Sequence, residues 1–215
     1  MGSHIVIGGS ARCGKSTVAR SVRHTLGPEM QTLSGDAVRN MLRRTVPKGL
    51  LPILHGPRAE KIPDEEEFIA HHSLRAATEV ASKRRQAEFV WPFLETYARE
   101  IDHESGEGVI VESIDVWPDL LAASSLCHKA VFLVDTSKEQ ADRIIASRHT
   151  DPYDWMHQNG YSDRRIRAWC EFNVMRSEAI RELARAADYM CIDLAEVTFG
   201  EAQQVAHDYL CDVNA

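Results

Sequence analysis

"VIGGSARCGKSTVA", residues 6 to 19, is the stretch that decides the reading of this chain. Gly9 and Gly14 stand five positions apart, Lys15 and Ser16 follow the second glycine, and the apolar run Ile5-Val6-Ile7 comes just before. The spacing fits G-x-x-x-x-G-K-[ST] in full, between a strand and a helix. Glycines let the backbone turn so that successive N–H groups point inward and make a nest for phosphate. The first turn of the following helix adds unpaired N–H groups and the positive end of its dipole. Gly9-Ser10-Ala11-Arg12-Cys13-Gly14-Lys15-Ser16-Thr17 is therefore expected to hold a nucleoside triphosphate. Lys15 would place its ammonium on the β and γ phosphates, and the Ser16 hydroxyl would help hold Mg²⁺. Cys13 reads as a small residue in a tight turn, at a place where the helix dipole would favour a thiolate.

Working outward, short apolar runs alternate with helical patterns. Strands are expected at 5–7, 31–33, 109–111, 130–134 and 189–192, and helices at 15–26, 36–44, 138–148, 163–187 and 201–210. The alternation predicts an α/β fold, three layers with about five parallel strands. In the helix over 36–44, Val38, Met41 and Leu42 are expected to face inward. Residues 37 to 105 hold no clear strand and read as a helical, acceptor-binding insertion. Within it, an irregular stretch over 45–58 is followed by a helix opening on Asp64-Glu65-Glu66-Glu67 and running to about Arg85. Pro92 is expected to mark a break or kink, with helix resuming to about His103. A lid is expected over about 148–165, inside one domain spanning 1–215.

Bulk properties narrow the classes. With 215 residues, 44 % hydrophobic and 27 % charged, the chain suits one globular domain. A net charge of -7 argues against nucleic acid or an anionic membrane as partner. The cysteine count, five, is odd and no CxxC pair occurs, which fits a reducing cytoplasm better than a disulfide framework or a zinc site. No apolar run approaches the roughly 20 residues of a membrane span. Met1 to His4 are left out of the functional argument.

Three further stretches carry chemistry. In "LSGDAVRNML", residues 33 to 42, Asp36 and Arg39 are three apart and share a helix face. The carboxylate could accept the proton of an attacking hydroxyl, and the guanidinium could hold an anionic group bidentately. "GVIVESIDVWP", residues 108 to 118, is an apolar strand ending in an acid. Glu112 there is the candidate for Mg²⁺ or the acceptor, with Asp115 the weaker one. "ADRIIASRHTDPYDWMHQNGYSDRRIRAW", residues 141 to 169, offers Arg143 and Arg148, then Arg164, Arg165 and Arg167, around a Pro152- and Gly160-containing segment. Arginines from a closing lid can neutralise charge on a transferred phosphoryl group. Which of them reach the phosphates stays open.

With these residues in place, the chain resembles small P-loop kinases of the adenylate-kinase-like group over most of its length. Asp36-x-x-Arg39 is similar to the pattern of shikimate-, gluconate- and adenylylsulfate-kinase-like enzymes, of 5′-hydroxyl polynucleotide kinases and of zeta-toxin-like kinases. The strand ending at Glu112 with Trp117-Pro118 after it is similar to 2-phosphoglycerate-kinase-like proteins. The resemblance implies ATP as the nucleotide, Asp36 as base, Arg39 on acceptor or phosphate, and lid duties for Arg143 and Arg148. Where nucleoside-monophosphate kinases carry Asp-Gly-Phe-Pro-Arg, this chain reads Glu112-Ser113-Ile114-Asp115-Val116-Trp117-Pro118, which argues against a nucleoside monophosphate acceptor.

The expected function is an ATP-dependent kinase acting on a hydroxyl of a small molecule. A 5′-hydroxyl polynucleotide kinase and a non-kinase nucleotide switch or ATPase are the alternatives. Trp91, Phe93 and Tyr97 read as core or as acceptor-pocket lining, and Lys83-Arg84-Arg85 as a solvated face or a guide for a phosphorylated acceptor. His71 and His72 point about 100° apart on a helix and are not expected to share a metal. Acceptor identity, base preference and oligomeric state stay open.

Overall fold

Five short strands lie side by side, all parallel, in the order β2-β3-β1-β4-β5. They are β1 (His4–Gly9), β2 (Gln31–Ser34), β3 (Val109–Glu112), β4 (His128–Val134) and β5 (Met190–Asp193). The computed structural model describes residues 4–55, 62–105, 108–126, 128–147 and 154–212. Side chains alternate along β1: Ile5 and Ile7 enter one core and Val6 the other. Helices α1 (Lys15–Leu26) and α9 (Phe199–Cys211) cover the Ile5 face through Val18, Val22, Ala202 and Ala206. On the Val6 face lie α4 (Ala76–Ser105) and α8 (Asp163–Ala186), with Trp91, Leu94, Ile180 and Ala184 packed on Val111, Phe132 and Val134. The result is a three-layer α/β/α architecture, with both faces of the sheet buried as parallel strands require.

The remaining helices are α2 (Gly35–Thr45), α3 (Glu65–Ile69), α5 (Pro118–Ala122), α6 (Gln140–Ala146) and α7 (Trp155–Gln158). A separate apolar cluster of Phe68, Met156, Tyr161, Ile166 and Trp169 ties α3, α7 and α8 together beyond the strand ends. Because β1 has β3 on one side and β4 on the other, the order reverses there. A crevice opens at the carboxyl end of β1, where ligands of such sheets bind.

Two local expectations differ in the structure, and two features that the sequence left unread are added. Pro92 does not break the chain: α4 runs unbroken through it for 30 residues. Pro92 and Glu88, whose carbonyl loses its helical partner, are both exposed, a place where water can reach such a carbonyl, while buried Val90, Trp91 and Leu94 hold the helix on the sheet. The interruption comes earlier, at a π turn over Ala70–Leu74 closed by Arg75. Met41 does not face inward: it is exposed, and Arg39 is buried beside Leu42 instead, because it has carboxylate partners there. His4 belongs to the fold, since its Nδ1 accepts a hydrogen bond from the Val109 N–H at 3.3 Å. Helix α5 had no forecast; Pro118 stands at its first turn, where a missing N–H costs nothing.

Candidate active site

The loop between β1 and α1 has the backbone that its glycines predict. Gly9 has φ +122, and a Cβ there would run into the Leu133 carbonyl of the neighbouring strand. Gly14, the cap of α1, has φ +82 and lies against the Phe199 ring. Arg12 is left-handed as well, at φ +65, a costly conformation for a side chain of its size. An ion pair to the fully buried Asp154 holds it there. From below, α8 braces the loop: Ser177 Oγ lies 2.6 Å from Ser10 Oγ, and Asn173 Nδ2 donates to the Ala11 carbonyl at 3.3 Å.

Above the loop is a cavity of about 860 Å³. Ala11, Arg12, Gly14, Lys15, Ser16 and Thr17 line it, whereas Gly9, Ser10 and Cys13 are buried beneath the loop. The Cys13 thiol is pushed up to about 12 by burial, so the thiolate that the helix dipole would favour does not form. Lys15 donates to the Ser10 carbonyl and folds back over its own loop. Burial lowers its pKa, with Cys13, Glu112 and Asp36 acting the other way.

Ser16 Oγ donates to Glu112 Oε2 at 3.0 Å. A hydroxyl and a carboxylate side by side are hard oxygen donors, the kind Mg²⁺ takes in ones and twos beside phosphate oxygens and water. Among the described residues no group of three or more His, Cys, Asp or Glu could hold a metal. Two such donors alone do not make a cage around an ion.

At the next strand end, Asp36 on α2 is more than half exposed and faces the cavity. Arg39 Nη2 donates to Asp36 Oδ1 at 2.7 Å, and Nη1 bonds buried Asp115. Burial opposes the guanidinium charge, but Asp115 and Asp36 outweigh it and raise the Arg39 pKa. Asp115 also accepts from Gln86 Nε2 at 3.0 Å. It therefore anchors Arg39 and does not line the cavity, which leaves Glu112 as the carboxylate beside Ser16.

The arginines fall differently from the expectation. Arg148 and Pro152, in the first part of the expected lid, lie outside the described residues. Arg143 is bonded to Asp135 Oδ2 at 2.5 Å and Ser137 Oγ at 2.7 Å. It borders a second cavity of about 650 Å³, on the far side of Arg12, together with Thr198 and Phe199. Arg164 pairs with Glu65 and Glu66, Arg165 reaches the Pro63 carbonyl and covers the Phe68 ring, and Arg167 pairs with Asp142. None of these three lines either cavity. They fasten α8 to its neighbours because acidic side chains of α3 and α6 stand opposite.

Arg176 is the residue that sequence reasoning missed. It is 2 % exposed, lines the main cavity and stacks over Trp117. It donates to the Ile114 carbonyl, its Nε has no partner, and burial brings its pKa down to about 10. Its neighbours along α8 form no motif that would set it apart from an ordinary helical arginine; only the fold aims it. Trp91 is core, while Phe93 and Tyr97 are surface residues, so none of the three lines the cavity. Arg84 of the basic run pairs with Glu88 and Asp119, and Lys83 faces the cavity.

No family model and no curated protein matches this chain. A solved structure with the same architecture is a crystal structure of a putative kinase from Chloroflexus aurantiacus J-10-fl. It is 15 % identical, with a TM-score of 0.50 over 98 % of this chain and 100 % of that one. At that identity the likeness is one of fold. Among the described residues no helix is long and apolar enough to cross a membrane.

Proposed function

We propose that the protein is an ATP-dependent phosphotransferase that phosphorylates a hydroxyl group of a small molecule. The observation that carries this reading is the meeting of Lys15, Ser16, Glu112, Asp36, Arg39 and Arg176 around one cavity above a glycine-built anion nest. The triphosphate lies on Gly9–Thr17, and Lys15 leaves the Ser10 carbonyl to grip it. The second cavity, bordered by Arg143 and the 194–199 segment, would offer room for the nucleotide's base. Ser16 and Glu112 would hold Mg²⁺, which would supply charge neutralisation on the phosphate oxygens.

Asp36 takes the proton of the acceptor hydroxyl. The acceptor oxygen then forms its bond to the γ phosphorus while the bond from that phosphorus to the β–γ bridging oxygen breaks, and ADP leaves. Arg176 pairs with no carboxylate among the described residues, so its charge is available to the transferring group, where one such contact is worth about 10²–10³ in rate. Arg39, clamped by Asp115, fixes the orientation of Asp36. Catalysis of this kind is positioning plus electrostatics. Four unbridged thiols among the described residues, Cys13, Cys170, Cys191 and Cys211, suit a cytoplasmic setting.

The test is incubation of the full chain with ATP, Mg²⁺ and pooled metabolites, read by mass spectrometry. A metabolite that gains one phosphoryl group supports the reading. ATP hydrolysis without any phosphorylated product points to a nucleotide switch, and salt-sensitive labelling of an oligonucleotide points to a polynucleotide kinase.

A further inference from the structure

The main cavity continues past Asp36 to a second set of polar side chains, His72, Glu79, Lys83 and Gln86, on the π turn and the first half of α4. Their arrangement has a character of its own. Glu79 Oε1 and Lys83 Nζ are 2.8 Å apart, and Glu79 Oε2 is 3.5 Å from His71 Nε2. Both members of the pair are mostly shielded, at 11 % and 24 % side-chain exposure, yet both line the cavity. A carboxylate beside an ammonium offers an acceptor next to a donor, and each keeps capacity to spare after bonding the other.

His72 adds a second acceptor. Its Nδ1 faces the Phe68 carbonyl at 3.0 Å, so that nitrogen carries the proton and Nε2 keeps its lone pair. Burial pushes its pKa down to about 4, so the ring is neutral at physiological pH. Phe68 stacks on it at 4.2 Å and Phe172 meets it edge-on at 5.8 Å, which fixes its plane. The charges at this end are mixed: Arg39, Arg43, Lys83 and Arg176 line it with Asp36 and Glu79, and Asp115 lies beneath Arg39. An apolar alcohol would leave the spare donor and acceptor capacity of Glu79, Lys83 and His72 without a hydroxyl partner, at a cost in affinity.

Resting on the kinase reading above, we infer that the acceptor is a sugar or sugar-derived polyol. Neighbouring hydroxyls are held by the Glu79–Lys83 pair and by His72 while another hydroxyl is presented to Asp36. Hydroxyls both donate and accept, which is what a donor-acceptor pair plus a fixed lone pair selects.

The test uses the full chain with ATP and Mg²⁺. The probes are three- to six-carbon sugars, alditols and aldonates, against monohydric alcohols, nucleoside monophosphates and a 5′-hydroxyl oligonucleotide. Transfer to polyols alone is expected. With the best polyol, Glu79→Gln and Lys83→Met should each raise its KM about tenfold or more and leave the KM for ATP in place. His72→Gln, which keeps an acceptor, should lose less than His72→Phe, and thermal melting verifies that each variant is folded. Transfer to monohydric alcohols, nucleoside monophosphates or the oligonucleotide instead overturns the polyol assignment and leaves the kinase reading standing. So does an unchanged polyol KM in folded variants. No transfer to any probe, with a non-hydrolysable ATP analogue still bound, overturns the kinase reading and the polyol assignment together.

Discussion

The two ends of the main cavity are built by different means. At the nucleotide end the backbone does the holding: Gly9 and Gly14 supply positive φ angles, and the first turn of α1 supplies N–H groups. At the acceptor end the work falls to side chains, collected from α2, the π turn at 70–74, α4 and α8. A backbone-built site is tied to a fixed residue spacing, because the loop closes only with glycine where a Cβ would collide. A side-chain-built site is tied only to the fold that brings distant residues together, so its pieces can lie anywhere in the chain. The contrast also bears on evolution of specificity, since the second kind of site can be rewritten one residue at a time.

Substitutions can break this contrast, beginning at the nucleotide end. Lys15→Ala is expected to abolish turnover, because among the described residues no other ammonium stands over the loop; phosphoryl-transfer assays check it. Asp36→Asn should keep ATP affinity and lose at least about 10²-fold in kcat, since it removes the base but not the nest. Near-normal turnover in that variant would remove the base assignment. Arg176→Met is expected to lower kcat about 10²-fold with a smaller change in ATP affinity, measured by a fluorescent nucleotide analogue. An equal loss of affinity and rate would assign Arg176 to ground-state binding.

Acid sharpens the comparison from the other end. His72 is held neutral in the fold, with a pKa of about 4 against an ordinary 6.5. Its protonation therefore favours the unfolded chain. The stability it contributes is complete above about pH 6.5 and is lost progressively as pH falls towards 4. The loss should be on the order of 2–3 kcal/mol. Urea unfolding across that range measures it, and a His72→Gln chain should show a flatter profile than the parent.

Much of the fold was legible because apolar strands and glycine punctuation are local signals. The runs at 5–7, 109–111 and 130–134 lie within β1, β3 and β4, and the G-x-x-x-x-G-K-S spacing fixes the turn into α1. The pairing of Ser16 with Glu112, 96 residues apart, was legible only in part. An acid at a strand end is visible in sequence, but its partner is set by β1 and β3 lying side by side. Arg164, Arg165 and Arg167 looked like lid residues because clustered arginine is all a sequence displays. Which carboxylates stand opposite depends on how α3 and α6 pack, and Glu65, Glu66 and Asp142 claimed those charges. Arg176 failed to stand out for the converse reason: it sits in an ordinary helical stretch and owes its role to the cavity it meets. Pro92 leaves α4 unbroken, and a proline's cost depends on whether water reaches the orphaned carbonyl, which a sequence does not state.

The central claim is that Asp36 stands where a hydroxyl oxygen can lie between its carboxylate and the outermost phosphorus of a triphosphate on Gly9–Thr17. A crystal structure with a non-hydrolysable ATP analogue and Mg²⁺ measures this directly. The account predicts the analogue's γ-phosphoryl group beside Lys15 and Arg176, with the Asp36 carboxylate facing it across a gap of one oxygen atom or one water. A γ-phosphoryl group turned away from Asp36, or a triphosphate seated elsewhere than on the loop, would contradict it.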